Sequence, residues 1–165
     1  MNKQPNLIGT YAVRPCNELL LETSSLLLVK YGGAICNGCL QLLAEEWGDR
    51  DSKPMTMQIF SEFEDTFNVH KFAQGFNLED KPRFRQATIV ELLALGTQER
   101  NLGLDGFVYC LGSAQINPKE RLACGMVDPT VFYPGLESMD GSRQMLLRAI
   151  CNPWSRDTRV ALVKL

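Results

Sequence analysis

Two cysteines, Cys36 and Cys39, stand three positions apart in the segment AICNGCLQLLAEEW. A thiolate attacks a disulfide, and a second thiol placed nearby then attacks the mixed disulfide and releases the partner in reduced form. The Cys-x-x-Cys spacing therefore predicts thiol–disulfide exchange, with Cys36 as the attacking thiol and Cys39 as the resolving thiol.

The residues around this pair predict a strand, a turn and a helix. Successive apolar residues over 26–31 favour a strand covered on both faces, and Gly32 with Gly33 favours a turn. One helical arc then carries the apolar residues Cys36, Cys39, Leu40, Leu43 and Trp47. The helix is expected to end at Gly48. Cys36 would then lie at a helix N-terminus, where unpaired N–H groups and the helix dipole favour a thiolate.

The segment 26–47 resembles the active-site segment of thioredoxin-fold proteins, in which an apolar strand leads through a short turn to Cys-x-x-Cys at the head of a helix. The sequence VDPTV at 127–131 partly resembles the family's cis-proline segment. The resemblance implies a disulfide exchange protein with a protein partner and no cofactor. It also implies that Ile35 and Pro129 lie beside the thiols and contact the substrate.

Three residues depart from the family pattern and favour a different function. Ile35 stands where the family usually has tryptophan, Lys30 where it has a buried carboxylate, and Asp128 precedes Pro129. Cysteine is among the most buried residue types, so core packing also explains Cys36 and Cys39. The alternative function is therefore a non-catalytic protein-binding or regulatory domain whose cysteines are core residues.

Two further chemistries use the same cysteines. A zinc site would need two more ligands, drawn from Cys110, Cys124 or His70. A cysteine hydrolase would have to pair Cys36 with His70, since the sequence contains a single histidine. His70 is in register with neighbouring phenylalanines, which is more typical of a structural histidine, and we assign no metal site.

The bulk composition limits the class of protein. A chain of 165 residues with 45% hydrophobic and 22% charged residues is typical of one globular domain. A net charge of -2 with scattered basic residues argues against nucleic acid or a membrane surface as partner. The polar residues 1–6 lack the apolar core of a signal peptide, which favours a cytoplasmic protein with reduced thiols. The sequence assigns neither the partner's identity nor an oligomeric state.

The remaining patterns predict an α/β or α+β single domain, 1–165, with a thioredoxin-like core, a possible insertion at 49–105 and an extra C-terminal strand. Alternating or continuous apolar runs predict strands over 7–13, 55–59, 107–111, 121–127, 129–135 and 160–165. Helical spacing and capping residues predict helices over 17–22, 60–67, 88–96 and 142–150. The stretch 19–28 is also compatible with a hairpin.

Overall fold

A computed structural model of the chain describes residues 4–15, 34–46, 53–75, 81–99, 105–117, 130–139, 142–150 and 154–165. These ranges contain nine strands and three helices. In chain order the elements are β1 (Asn6–Val13), β2 (Ala34–Ile35), α1 (Asn37–Glu46), β3 (Met55–Ser61), α2 (Thr66–Gln74), β4 (Phe84–Gln86), α3 (Ile89–Gln98), β5 (Gly106–Tyr109), β6 (Gln115–Asn117), β7 (Thr130–Met139), β8 (Ser142–Ala149) and β9 (Arg159–Lys164). No helix within these ranges is long and apolar enough to cross a bilayer.

The strands form one mixed sheet in the order β1-β3-β9-β5-β7-β8-β2. β2 runs parallel to β8 and β5 runs parallel to β9, whereas the other pairs are antiparallel. Two short strands extend this path: β4 pairs with β9, and β6 pairs with β7. Helices packed against a largely antiparallel sheet make this an α+β domain.

The sheet separates two hydrophobic clusters, as the alternation along β9 shows. Ala161 and Val163 belong to the cluster that contains residues of α1 and α3, whereas Val160 and Leu162 belong to the cluster that contains residues of α2. Because successive side chains of a strand point to opposite faces, α1 and α3 cover one face and α2 covers the other. We call these the α1–α3 face and the α2 face.

Helix α3 is the most buried helix of the described residues, and it follows the predicted capping pattern. Residues 89–97 are all buried. The Glu91 carboxylate accepts a 2.8 Å hydrogen bond from the Thr88 amide and pairs with the Arg85 guanidinium. Glu91 therefore caps the helix, and Arg85 balances its buried negative charge, which is the usual condition for burying a carboxylate.

The structure confirms several predicted elements. β1 matches the strand predicted over 7–13, and α3 covers 89–96 of the helix predicted over 88–96, with Thr88 as its cap, and continues to Gln98. The C-terminal strand is confirmed as β9, which pairs with β3, β4 and β5. Within the segment 49–105, the described part contributes β3, which lies between β1 and β9, as well as the buried helix α3.

Two predicted helices are wrong. Within the helix predicted over 60–67, Phe60 and Ser61 belong to β3, because Phe60 pairs with Val160 of β9, and α2 begins only at Thr66, after its cap Asp65.

The helix predicted over 142–150 is a strand. Residues 142–149 form strand β8, which pairs with β7 as a hairpin through the register Met139↔Ser142 to Phe132↔Ala149. The alternating side chains Arg143 and Met145 are buried on the α1–α3 face. The predicted helix at 17–22 and the predicted strands at 26–31 and 121–127 lie outside the described residues.

Candidate functional site

The two-residue strand β2 positions the start of helix α1 at the end of the sheet. Ile35 pairs with Met145 of β8, and the Cys36 amide donates a 3.0 Å hydrogen bond to the Met145 carbonyl. The helix begins at the next residue, Asn37. A strand therefore leads directly into the cysteine helix, but it is not the strand predicted over 26–31, which lies outside the described residues. β2 consists of residues 34–35 and lies at one end of the described strand order.

Cys36 is the residue that caps helix α1. Its carbonyl accepts a 3.0 Å hydrogen bond from the Leu40 amide, and its Sγ accepts a 3.4 Å hydrogen bond from the Cys39 amide. The side chain is partly exposed. The sulfur thus occupies the position in which serine or aspartate oxygens usually cap helices, facing N–H groups that have no partner within the helix.

Cys39 lies one turn further along, on the buried side of α1. It is fully buried and belongs to the same hydrophobic cluster as Leu42 and Leu43. Burial raises the pKa of the Cys39 thiol, and a side-chain hydrogen bond with Cys36 and the charge of Cys36 raise it further. Cys39 is therefore a protonated thiol at neutral pH, hydrogen-bonded to the more exposed sulfur.

A third thiol, Cys110, lies in the same cluster; from the sequence it was considered near the pair only as a possible zinc ligand. It follows β5 and is fully buried. Burial raises the pKa of the Cys110 thiol, and the charges of Cys39, Glu46 and Glu91 raise it further. All three of these cysteines are free thiols in the structure. Nothing in the spacing of the sequence connects Cys110 with Cys39.

The first turn of α1 packs tightly on the α1–α3 face. A Cβ placed on Gly38 would collide with Cδ1 of Leu147 and would lie 3.3 Å from Oε1 of Gln115. Leu147 belongs to β8 and Gln115 to β6, so two strands that are distant in sequence support the Cys-x-x-Cys turn. Glycine at position 38 therefore allows this close approach, which the sequence reasoning did not anticipate.

The other end of α1 is held by a buried hydroxyl. Oγ of Ser113 accepts a 2.9 Å hydrogen bond from the Ile89 amide and donates a hydrogen bond to the Glu46 carboxylate. Ser113 is 2% exposed. One serine thus links the last turn of α1 to the first turn of α3 and fixes the direction of the cysteine helix.

Of the two residues predicted to contact the substrate, the structure describes only Ile35. Ile35 is half-buried and packs against the core cluster of the α1–α3 face. Pro129 lies outside the described residues. The next residue, Thr130, begins β7 and pairs with Asn117, two positions beyond Gln115 along β6.

The geometry supports neither the Cys36–His70 hydrolase nor the zinc site. His70 is exposed on α2, which packs on the face opposite to α1, so the sheet separates it from Cys36. Within the described ranges no group of three His, Cys, Asp or Glu side chains is arranged to hold a metal ion. Cys124, the other ligand considered for zinc, lies outside those ranges.

Comparisons with models of protein families, with curated proteins and with solved structures found no significant match to this chain.

Proposed function

We propose that this protein carries out thiol–disulfide exchange through Cys36 and Cys39. The observation that carries the proposal is the contrast between two neighbouring sulfurs. Cys36 is partly exposed at the head of a helix and accepts an N–H hydrogen bond there, whereas Cys39 is buried directly behind it. A nucleophile that meets the substrate and a resolving thiol shielded from it need this division of exposure.

The exchange proceeds in two steps. The Cys36 thiolate attacks one sulfur of a substrate disulfide, forms a mixed disulfide, and expels the other substrate sulfur as a thiolate that takes up a proton. Cys39 then loses its proton and attacks Sγ of Cys36, which releases the second substrate sulfur. This second sulfur also leaves as a thiolate and takes up a proton. The protein dithiol is oxidised to a disulfide and the substrate disulfide is reduced to two thiols by two electrons and two protons, one proton released when Cys36 ionises and one when Cys39 ionises.

The raised pKa of Cys39 is consistent with its role as the resolving thiol. A thiol that keeps its proton does not compete with Cys36 for the substrate, and it becomes nucleophilic when it transfers that proton. Once Cys36 is in a mixed disulfide, it no longer carries the negative charge that contributes to the raised pKa of Cys39. Formation of the mixed disulfide thus removes one of the factors that oppose ionisation of the resolving thiol.

The thioredoxin-like core is part of this proposal. It is supported by the strand–helix unit of β2 and α1 with the dithiol at its junction. A strand, β8, occupies the segment where the family's last helix was expected. We further propose a polypeptide partner and a cytoplasmic location, in keeping with the free thiols at Cys36, Cys39 and Cys110.

Pro129 remains the proposed second contact of the substrate. β7 begins at the following residue, and Phe132 of this strand pairs with Gln115, the residue that lies against Gly38 in the first turn of α1. Through β8, however, Ile35 is aligned with Leu136, which is six residues along β7 from Thr130. A substrate that contacts both Cys36 and Pro129 would therefore have to extend along the sheet between these two positions.

A non-catalytic binding domain is the second candidate, and one observation favours it. Cys39 is fully buried in the core cluster, against which Cys36 also packs, so hydrophobic packing accounts for both side chains. In that case replacement of both cysteines by serine in a folded protein would leave partner binding intact.

A reaction with oxidised glutathione separates these candidates. The wild-type protein should release reduced glutathione and form the Cys36–Cys39 disulfide. Cys39→Ser should stop at a stable glutathione adduct on Cys36, and Cys36→Ser should form no adduct within the tryptic peptide 31–50, which contains both positions. Equal glutathione adducts on the two single variants, or none on either, would refute the division of roles.

A further inference from the structure

Strand β8 has one edge that the rest of the described sheet covers only in part. β7 pairs with β8 over its whole length, from Ser142 to Ala149. On the opposite edge β2 pairs only with Gln144 and Met145, and the last contact there is the hydrogen bond from the Cys36 amide to the Met145 carbonyl. At Cys36 the chain leaves this edge and enters α1.

The hydrogen-bonding direction along β8 can be read from this last contact. In an antiparallel pair, successive residues direct their N–H and C=O groups alternately to the two edges. Because the Met145 carbonyl faces β2, the backbone groups of Leu147 and Ala149 face the same edge. Leu147 lies opposite Pro134 of β7, which has no N–H to donate, as expected for a pair without mutual hydrogen bonds.

No described residue pairs with this edge beyond Met145. We call residues 147–149 the open edge of β8. Ala149 is exposed and carries only a methyl group. The Arg148 side chain lies 4.5 Å from the Phe107 ring centre and pairs with Glu137 of β7, so its charge is directed over the sheet face and not over the edge.

We propose that the substrate is a polypeptide whose extended segment adds to the open edge of β8 as a further strand. The position is the continuation of β2, so a cysteine in that segment would reach the strand end at which Sγ of Cys36 lies. Main-chain hydrogen bonds to Leu147 and Ala149 would supply the affinity, as in other cases of strand addition. This proposal rests on the proposed exchange activity of Cys36.

The test compares the rates at which Cys36 reacts with two disulfides that have the same leaving group. The first is an uncharged seven-residue peptide whose central cysteine forms a mixed disulfide with 2-thiopyridine; the second is the same cysteine derivative without flanking residues. Thiopyridone release is followed by absorbance, and the rate of Cys36→Ser is subtracted from each. Peptides N-methylated at single backbone positions identify the amides that pair with the protein.

Strand addition predicts that the peptide reacts roughly tenfold faster than the small disulfide, since each net hydrogen bond is worth a few-fold in rate. N-methylation should remove this advantage at alternate positions only. Ala149→Pro removes one N–H from the open edge and should slow the peptide but not the small disulfide. Arg148→Ala, whose backbone faces β7, is the matched control and should leave both rates unchanged.

The experiment distinguishes a failure of strand addition from a failure of the exchange activity. If Cys36 reacts with both substrates at the same rate and N-methylation has no effect, strand addition is refuted while the exchange activity stands. If Cys36 reacts with neither substrate, both proposals fail. The N-methylated series uses the wild-type protein, so a variant that does not fold leaves the comparison valid.

Discussion

The amide of Cys39 donates a 3.4 Å hydrogen bond to Sγ of Cys36 across the first turn of α1. This contact makes one cysteine the cap of the helix that carries the other. The two thiols differ in exposure: the capping sulfur of Cys36 is partly exposed, whereas Cys39 is enclosed by the core.

The first prediction concerns chemical modification of the reduced, folded protein. Iodoacetamide should modify Cys36 more than roughly tenfold faster than Cys39 or Cys110, because the two buried thiols react only when the structure opens. Peptide mapping by mass spectrometry measures the three rates separately. In denaturant the three rates should converge, and this provides the control. Modification of Cys39 as fast as Cys36 in the native protein would contradict the proposed geometry.

The second prediction tests the packing beneath the Cys-x-x-Cys turn. Gly38→Val introduces a branched side chain against Leu147 and should reduce the free energy of unfolding by about 2 kcal/mol, a typical cost of overpacking. Asn37→Val is the matched control, since Asn37 is exposed in the same turn. Urea denaturation gives both values. Equal losses for the two variants would show that the close approach of Gly38 to β8 is incorrect.

The third prediction concerns the serine that links two helices. Ser113→Ala leaves the Ile89 amide buried without its acceptor and should cost about 1–3 kcal/mol of stability. It should also slow resolution by Cys39, because the C-terminal end of α1 loses its anchor at Glu46. Ser155→Ala, at an exposed serine whose Oγ accepts only a local hydrogen bond from Asp157, is the control and should be nearly neutral. A neutral Ser113→Ala would refute the link.

The fourth prediction follows from the raised pKa of Cys110. Above about pH 9 an unfolded chain releases this thiol proton while the folded protein keeps it, so the unfolded state binds fewer protons and stability falls as pH rises. Wild-type stability should therefore fall by about 1 kcal/mol per pH unit more steeply than that of Cys110→Ala between roughly pH 9 and 11. Parallel stability curves from urea denaturation would contradict the burial of Cys110.

The sequence predicted the parts of the fold in which local patterns agree with the final environment. Thr88 and Glu91 have the spacing of a capping box, and α3 begins between them. The cysteine helix was predicted from its apolar arc, and the structure buries Cys39 and Leu43 of that arc. The buried face is turned toward Leu42, which was not in the predicted arc, and Leu40 is only half-buried. Here the local signal and the tertiary contacts favour the same structure.

Strand β8 was missed because its residues satisfy two periodicities. Met145, Leu146 and Ala149 share one helical face, but Arg143, Met145 and Leu147 alternate as in a strand. The dipeptide Asp140-Gly141 between two apolar runs is a strong hairpin signal in the sequence and favours the strand. Pairing with β7 over eight residues then outweighs the helical preference.

The supporting contacts of the site could not be predicted from the sequence. Gln115, Leu147 and Ser113 reach α1 from β6, from β8 and from the residues after β5, and no local pattern relates these positions to the cysteines. They become neighbours only through the strand order of the sheet. A single sequence can therefore indicate a dithiol, but not the residues that hold it in place.

The most direct test is the redox state of the tryptic peptide 31–50, which contains Cys36 and Cys39 and no other cysteine. The folded protein is equilibrated in glutathione buffers, quenched with acid and analysed by mass spectrometry. We expect a reversible Cys36–Cys39 disulfide with a midpoint between about -270 and -120 mV, the range of known exchange proteins. A dithiol that persists at every potential, or a disulfide that forms only after unfolding, would contradict the proposed function.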